Sequence, residues 1–379
     1  MAEAAHGRIR GATGGPTRGA VTGPGRPGGA KGVLAVNGQA TAGRQAAGVQ
    51  GLPAAQELQS LLEDGLARGL RGRDCLSLRQ FRREELERIL VLAGLLKSLR
   101  RLGAEPALLR GRSVAMIFHK PSTRTRVSFE VGIHQLGGQA LYLSAEELQL
   151  RRGESLYDTG QVLSRYVDGV VVRTYRQKDL EELADAATVP VVNALTDYSH
   201  PCQALADYFT VWEKLGRLQG VRLTYVGDAN NVARSLAFGG ALLGVHVRIA
   251  SPPGYQLDEE SIAWARGQAQ LHGASLELWE DPGRAAEGAD VLYTDVWVSM
   301  GQEAQAERRR QDLAPYQLNR ALVERAAPHV LVMHCLPAHR GEEITDEVMD
   351  GPHSVVFDQA ENRLHVQKAL LALLIGARL

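Results

Sequence analysis

The sequence lacks three features that would place it at once in a broad class of proteins. Its 43 basic and 43 acidic residues cancel, so bulk charge provides no attraction to nucleic acid or to a membrane surface. Three cysteines (Cys75, Cys202 and Cys335) are too few for a disulfide framework and favour a reducing compartment. No apolar run approaches the roughly 20 residues that span a bilayer. We therefore expect no membrane partner and no nucleic-acid partner.

The first 50 residues lack serine, aromatic residues and every acid except Glu3, while they are rich in glycine, alanine and arginine. Such a segment buries too little apolar surface to offset its ordering entropy, and we interpret residues 1–52 as a disordered extension. A transit peptide is an alternative, but the missing serine and the weak amphipathic pattern disfavour it. A nucleic-acid-binding arm is disfavoured by the missing aromatic residues. We expect a cytoplasmic protein rather than one of the mitochondrial matrix.

Beyond residue 52, short apolar runs alternate with segments of helical length, which is typical of an α/β fold with parallel sheets. The predicted strands are Ser113–Phe118, Ala140–Leu143, Gly169–Arg173, Val189–Ala194, Val221–Val226, Val245–Ala250, Ser275–Leu278, Val291–Thr294, His329–Met333 and Ser354–Phe357. A predicted helix that ends at Gly216 marks the domain boundary. The predicted division is an extension (1–52), a first domain (53–216), a second domain (217–350) and a C-terminal helical segment (351–379).

The stretch from Arg112 to Gly138 predicts an anion site. An apolar strand is followed by Pro121, by the helix caps Ser122 and Thr123, and then by a helix. Three hydroxyls and two guanidinium groups lie within residues 122–126, without a carboxylate among them. A helix N-terminus attracts anions, and arginine adds paired donors that match a phosphate. A simple capped helix is the alternative interpretation.

Polar clusters follow several predicted strands, at the carboxyl ends where ligands collect in parallel sheets. These clusters are Arg173, His200–Gln203, Gly227–Asn231, Asp295–Gly301 and His334–Pro337. One such cluster is ordinary loop chemistry, whereas five on one edge indicate a cleft.

Each cluster also has a simpler interpretation. His200 alone is more often a helix cap, and Cys335 alone is more often an inert thiol. His334, Cys335 and His339 lack a second matching pair of ligands for a metal site. Asp228 follows a glycine, but no G-x-G-x-x-G precedes a helix, which disfavours dinucleotide binding.

Together, however, the clusters resemble the signature motifs of the ornithine carbamoyltransferases. These motifs read Ser122-Thr-Arg-Thr-Arg126, His200-Pro-Cys-Gln203, Asp295…Ser299-Met-Gly301 and His334-Cys-Leu-Pro337. The similarity extends through Gly227-Asp-Ala-Asn-Asn231 and Phe357-Asp-Gln-Ala-Glu-Asn-Arg363, and covers the chain from about Arg73 onward. The first two motifs mark the wider aspartate/ornithine carbamoyltransferase superfamily, and the last two mark the ornithine branch.

The resemblance implies that the δ-amine of L-ornithine attacks carbamoyl phosphate, giving citrulline and phosphate without a metal or an organic cofactor. The residues implied to bind carbamoyl phosphate are Ser122, Thr123, Arg124, Thr125, Gln149, Arg173, His200, Gln203, Cys335, Leu336 and Arg363. Those implied to bind ornithine are Asn231, Asp295, Ser299 and Met300. Those implied to be catalytic are Arg173, His200, Asp295 and Cys335.

The resemblance also implies an assembly and a role in arginine biosynthesis. The chain would form a homotrimer or a multiple of trimers, with Gln149 reaching the carbamoyl phosphate of a neighbouring subunit. The C-terminal helix would pack back on the first domain and bring Arg363 to the anion.

Other functions stay open at this stage. A related acceptor, such as putrescine, N-acetylornithine or aspartate, is the first alternative within the enzyme class. A catalytically silent phosphate-binding or assembly subunit is a distant one, because Arg124, Arg173 and His200 are all present. The direction of flux is open, since both directions use one site.

Overall fold

The computed structural model describes residues 54–144, 148–299 and 301–377. The strands are β1 Ser113–Phe118, β2 Gln139–Ser144, β3 Gly169–Arg173, β4 Val191–Leu195, β5 Arg222–Val226, β6 His246–Ala250, β7 Leu276–Trp279, β8 Val291–Thr294 and β9 Leu331–His334. The predicted disordered extension lies outside the described residues. Every helix in the described ranges is too short or too polar to span a bilayer.

Fourteen α-helices alternate with these strands in the described part of the chain. They are α1 Ala54–Glu63, α2 Gly65–Leu70, α3 Arg83–Arg101, α4 Thr123–Gln135, α5 Leu156–Leu163, α6 Gln177–Ala186, α7 Pro201–Leu215, α8 Asn231–Leu243, α9 Glu259–Leu271, α10 Pro282–Ala286, α11 Ala306–Leu313, α12 Arg320–Val323, α13 Asp346–Met349 and α14 Val356–Leu371.

The strands form two parallel sheets, which confirms the predicted fold class. The first sheet has the order β2-β1-β3-β4 and the second has the order β7-β6-β5-β8-β9. In each sheet the chain order reverses between two central neighbours, β1 and β3 in the first and β5 and β8 in the second. Ligands of open α/β sheets bind outside the carboxyl ends of the strands at such a switch point.

The helix ends follow the local sequence signals. The side chain of Ser122 caps α4 by accepting a hydrogen bond from the Thr125 N–H, as predicted. Pro201 opens α7, and Gly216 ends it with a φ of 70°, a left-handed conformation that glycine adopts without a steric cost. The boundary predicted at Gly216 falls between α7 and β5, and the exact domain limits stay a prediction.

The C-terminal helix α14 packs against α3, α4 and α7 of the first half, as the fold prediction required. The strand predicted at Ser354–Phe357 is wrong. Ser354 makes one isolated bridge to Val332, and α14 begins at Val356. An apolar run of four residues is compatible with a strand or a helix start, and here the buried side chain of Val356 continues into the helix face that packs in the core.

Close approach of α7 and α8 joins the two halves. A Cβ atom on Gly240 would lie 2.7 Å from the hydroxyl oxygen of Tyr208, and one on Gly239 would lie 2.6 Å from its ring. The Tyr208 hydroxyl donates to the Leu236 carbonyl oxygen at 2.5 Å. Glycine at both positions therefore lets α8 settle against the helix that follows His200.

Candidate active site

A cavity of about 720 Å³ lies at the carboxyl ends of strands from both sheets. Thirteen of the predicted site residues line it: Ser122, Thr123, Arg124, Thr125, Arg173, His200, Gln203, Asn231, Asp295, Ser299, Cys335, Leu336 and Arg363. Gln149 is exposed, lies on a 3-10 turn (Gln149–Arg152) and does not line the cavity. Met300 lies outside the described residues.

The anion side of the cavity begins at the first turn of α4. Thr123 and Arg124 are exposed at the helix start, while Thr125 is buried beneath them. Lys120, just before this turn, is nearly buried, pairs with Asp197 and lies 4.1 Å from the centre of the Tyr175 ring. The sequence interpretation missed Lys120, since a lysine in a loop carries no signal of its burial.

Buried positive charge accumulates next to this turn. Burial, together with the nearby Arg363 and Arg124, lowers the pKa of Arg173 to about 10, and burial also lowers the pKa of Arg363. Arg173 Nε has no hydrogen-bond partner among the described residues. Burying several cations close together is costly, and such an arrangement at a cleft is a mark of a ligand site. The cluster therefore fits a bound anion.

His200 lies in the same cluster as a neutral imidazole. Its pKa is lowered well below the ordinary value by burial and by the charges of Arg363 and Arg173. Its backbone N–H donates to Ser235 Oγ at 2.8 Å, and Asn231 Nδ2 donates to the Thr196 carbonyl oxygen at 2.6 Å. The first turns of α8 thus hold the loop that carries His200.

A carboxylate, Asp295, lies on the opposite side of the cavity at the end of β8. One of its oxygens accepts from Cys335 Sγ at 2.8 Å and from the Val296 N–H at 2.8 Å, and the other accepts from Asn230 Nδ2 at 2.7 Å. Burial and the charge of Asp295 raise the pKa of Cys335 well above its usual range. Cys335 is therefore a thiol that donates to Asp295, and not a thiolate at neutral pH.

Asn230 was missed in the sequence because only its neighbour Asn231 was assigned a role. Its Oδ1 caps α8 by accepting from the N–H groups of Val232 and Ala233, at 2.9 and 3.3 Å. With its oxygen engaged in the cap, its amide nitrogen is directed to Asp295. The helix cap therefore also orients a carboxylate of the cavity.

Arg309 anchors the base of the segment that follows Asp295. Its Nε donates to the Trp297 carbonyl oxygen at 2.6 Å, and its Nη2 pairs with the buried carboxylate of Asp228. Burial raises the pKa of Asp228 to about 6 despite this pair. Further along, the Ser299 N–H donates to Gln302 Oε1 at 3.1 Å. The pair of Arg309 and Asp228 had no sequence signal, because the two residues lie 81 positions apart.

The His334–Pro337 segment is held by its own hydrogen bonds. The Leu336 N–H donates to His334 Nδ1 at 2.8 Å, so the ring proton is on Nε2, which faces Glu343 Oε1 at 3.1 Å. Leu336 has a φ of 59°, a left-handed backbone conformation that costs a non-glycine residue roughly 1–3 kcal/mol. Backbone conformations of this kind collect at functional sites.

Two groups of side chains in the described ranges have donor atoms close enough for a metal ion. They are Asp295, His334 and Cys335, and His339, Glu342 and Glu343. In the first group both ring nitrogens of His334 are already engaged, and Cys335 donates to Asp295. Metal binding would have to break these contacts, so the first group, Asp295, His334 and Cys335, does not fit a resident metal.

Comparisons with known proteins match both halves of the chain to one family. Residues 73–213 match the family model for the aspartate/ornithine carbamoyltransferase carbamoyl-P binding domain, and residues 219–374 match the model for its Asp/Orn binding domain. Relatives include an ornithine carbamoyltransferase of Thermococcus kodakarensis, 59% identical over 81% of this chain and 98% of its own length. Another is an anabolic ornithine carbamoyltransferase of Pyrococcus furiosus, 58% identical over 81% of this chain and 98% of its own length.

A solved structure of ornithine carbamoyltransferase from Pyrococcus furiosus superimposes with a TM-score of 0.79 at 58% identity, covering 81% of this chain and 98% of that one. The two family models account for both sheets, and the shared identity runs through nearly the whole length of the relatives. The chain belongs to the aspartate/ornithine carbamoyltransferase family.

Proposed function

We propose that this protein transfers the carbamoyl group of carbamoyl phosphate to the δ-amine of L-ornithine, releasing L-citrulline and phosphate. The observation that carries the proposal is the division of one cavity into a cationic side and a carboxylate side. Arg124, Arg173 and Arg363 lie on the first side and Asp295 on the second. Carbamoyl phosphate is an anion and the α-ammonium of ornithine is a cation, so each substrate matches one side.

The first turn of α4 supports the proposed phosphate site. Ser122, Thr123 and Arg124 would hold the phosphate, with the N–H groups of the helix start and Arg173 completing the contacts. Arg363, delivered by α14, neutralises the remaining charge. Desolvation strengthens these contacts, because water does not screen them in the closed site.

Three donors are proposed to stabilise the charge that develops on the carbonyl oxygen. Thr125, Arg173 and His200 all line the same side of the cavity. A neutral His200 can donate an N–H to this oxygen without competing with arginine for the phosphate. Preorganised donors of this kind are each worth about 3–4 kcal/mol in the transition state. The amide of Gln203 and the main chain of Leu336 would hold the carbamoyl NH2 group.

The acceptor side is proposed to hold the amino-acid head of ornithine. Asn231 would bind the α-carboxylate, and Asp295 with Ser299 would bind the α-ammonium, with help from the main chain of Met300. Asp295 already accepts from Asn230 and Cys335, which fixes its orientation before the substrate enters. The segment anchored by Arg309 would close over the substrate after carbamoyl phosphate has bound.

The δ-amine must reach the carbonyl carbon without its proton. An aqueous amine of this type has a pKa of about 10.4, so its neutral form is scarce at pH 7. The raised pKa of Cys335 argues against a thiolate as the base. We propose that desolvation in the closed cavity favours the neutral amine, and that Cys335 acts as a donor that orients Asp295.

We also propose an oligomeric state, a cellular location and a metabolic role for the enzyme. A homotrimer, or a multiple of it, is supported by exposed apolar side chains on α4 and α5, namely Val127, Val131, Tyr157 and Val162. Gln149 lies on the chain between these two helices, and it is the residue proposed to contact the carbamoyl phosphate of a neighbouring subunit. A cytoplasmic enzyme of arginine biosynthesis fits the Pyrococcus furiosus relative, which is named anabolic.

The test is a transfer assay with purified protein, carbamoyl phosphate and ornithine. Citrulline and phosphate should form in equal amounts, and neither should form at a comparable rate without ornithine. Phosphate release without citrulline would indicate a hydrolase and contradict the proposal. Light scattering on the same sample should give a mass that is a multiple of three chains.

A further inference from the structure

A buried polar network lies directly behind the carbamoyl side of the cavity. Gln203 and Asp207 lie one turn apart on α7, and Gln359 and Arg363 lie one turn apart on α14. Gln203 Nε2 donates to Asp207 Oδ1 at 2.8 Å, and Arg363 Nη1 donates to Gln203 Oε1 at 2.6 Å. Gln359 Nε2 donates to the same Asp207 oxygen at 2.7 Å. All four side chains are buried.

The two partners of Gln203 leave its amide only one orientation. A guanidinium group can only donate, so the atom of Gln203 that faces Arg363 must be the oxygen. Asp207 Oδ1 already accepts from Gln359 Nε2, whose own oxygen accepts from the His334 N–H, so the atom of Gln203 that faces Oδ1 must be the nitrogen. Without Asp207, the nitrogen of Gln203 would be buried without an acceptor, and nothing on that side would oppose rotation of the amide.

We propose that Asp207 is a positioning residue that holds the oxygen of Gln203 toward the carbamoyl donor. The inference rests on the proposed function, in which the NH2 group of the carbamoyl moiety needs an acceptor in a cavity otherwise rich in donors. Gln203 lines that cavity, whereas Asp207 does not. In this role, Asp207 favours binding of a substrate that carries an amide over binding of inorganic phosphate, because inorganic phosphate needs only hydrogen-bond donors.

A purely structural role is the competing explanation, since the network also ties α7 to the second sheet. Gln359 Oε1 accepts from the His334 N–H at 3.0 Å, and Gln359 Nε2 lies 3.1 Å from the Tyr293 hydroxyl. However, a buried carboxylate is an inefficient way to hold two helices together, because apolar residues of similar shape often stabilise such a site equally well or better. A purely structural role therefore predicts that an apolar substitution keeps both the stability and the activity. A positioning role predicts that the same substitution lowers the activity.

The experiment compares Asp207→Leu, Asp207→Asn and a control, Thr210→Val. Thr210 lies on the same helix and accepts from Asn362 Nδ2 at 3.0 Å, so its substitution removes a polar contact between α7 and α14 that does not reach Gln203. For each protein we would measure kcat/KM for carbamoyl phosphate at saturating ornithine, the inhibition constant for inorganic phosphate, and the melting temperature.

Asp207→Leu should lower kcat/KM for carbamoyl phosphate about 100-fold, because a buried amide with a lost partner no longer presents its acceptor. The inhibition constant for phosphate should change less than about threefold, since the phosphate contacts are donors. Asp207→Asn keeps an oxygen at the position of Oδ1 and should stay within about threefold of wild type. Thr210→Val should leave both constants near wild type.

Several outcomes would overturn the proposal. Parallel losses for carbamoyl phosphate and for phosphate in Asp207→Leu would indicate a general structural defect, as would a loss in Asp207→Asn equal to that in Asp207→Leu. Unchanged activity of folded Asp207→Leu would remove the positioning role and leave the proposed function intact, whereas an inactive wild type would remove both. If Asp207→Leu does not fold, Asp207→Ala takes its place, and failure of both to fold would establish a structural role instead.

Discussion

The two sheets place opposite charges at the edges that meet in the cavity. The first sheet and α14 bring Arg173 and Arg363, whose pKa values are lowered by burial. The second sheet brings the carboxylates of Asp295 and Asp228, and burial raises the pKa of Asp228 to about 6 although Asp228 pairs with Arg309. Each side carries a charge that burial disfavours, and a substrate of opposite charge relieves that cost.

The cationic side and the carboxylate side of the cavity differ in the hydrogen-bond partners that their charged groups already have. Arg173 Nε finds no partner in the described ranges, so the cationic side is poised for an external anion. Asp295, in contrast, is already oriented by Asn230 and Cys335 before any substrate binds. Substitutions on the two sides should therefore separate recognition of the donor from recognition of the acceptor.

The largest effect is expected on the acceptor side. Asp295→Asn removes the charge that pairs with the α-ammonium and puts a donor where Asn230 and Cys335 already donate. We expect kcat/KM for ornithine to fall by about three orders of magnitude, as for a site whose buried polar groups are left unpaired. The affinity for carbamoyl phosphate, measured by calorimetry, should stay near wild type. A comparable loss of carbamoyl phosphate binding would show that the two sides do not act separately.

On the donor side, Arg124→Lys should fail to restore function. An ammonium cannot reproduce the two-pronged contact of a guanidinium with phosphate, and we expect a loss of at least about 3 kcal/mol in transition-state stabilisation. The matched control is Arg126→Lys, two residues further on, because Arg126 pairs with Glu130 and lies over the Tyr142 ring at 3.7 Å, outside the cavity. Near-normal turnover of Arg124→Lys would remove Arg124 from the anion site.

A smaller effect concerns the pH dependence of stability. Burial raises the pKa of Asp207 from 3.8 to about 7, while Gln203, Gln359, Tyr293 and Arg363 act to lower it. The folded protein thus binds a proton more tightly than the unfolded chain, and the free energy of unfolding falls as pH rises from about 4 to about 7. Asp207→Asn should remove about 1–2 kcal/mol of this decline, after relaxation around the buried charge. Urea denaturation at pH 5 and pH 8 measures it, and an identical decline in both proteins would contradict the shift.

The smallest effect is expected from the N-terminal segment. Every residue implicated in the chemistry lies beyond Gly111. A chain that starts at Leu52 should therefore keep the turnover and the mass of the full-length protein. A truncated protein that fails to assemble or to turn over would show that residues 1–51 contribute to the fold.

The sequence was sufficient to predict the structural features that depend on local signals, such as strands and helix caps. Nine of the ten predicted strands are present, because their apolar runs are bounded by clear turn residues, and the cap at Ser122 forms as its motif indicates. The strand at Ser354–Phe357 failed because so short a run does not separate a strand from the start of a helix. The polar side chains that follow the strands could likewise be assigned to one site from the sequence, because the carboxyl ends of parallel strands lie at the same edge of a sheet.

Contacts between distant segments could not be predicted in this way. Arg309 with Asp228 and Asn230 with Asp295 depend on how the loops of the second sheet pack. Asp207 did leave a signal, since it lies four residues after Gln203 and therefore on the same helix face. Only the structure shows that this face is buried and that α14 supplies the other partners.

Selectivity among acceptors tests the account most directly. The measurement is kcat/KM of the wild-type protein for ornithine, putrescine and N-acetylornithine at saturating carbamoyl phosphate. If Asp295 and Asn231 hold the amino-acid head, ornithine should be preferred over both analogues by at least about 1,000-fold, because each analogue leaves buried polar groups of the acceptor side unpaired. Putrescine turned over as well as ornithine would show that the carboxylate side of the cavity does not recognise the head of the acceptor.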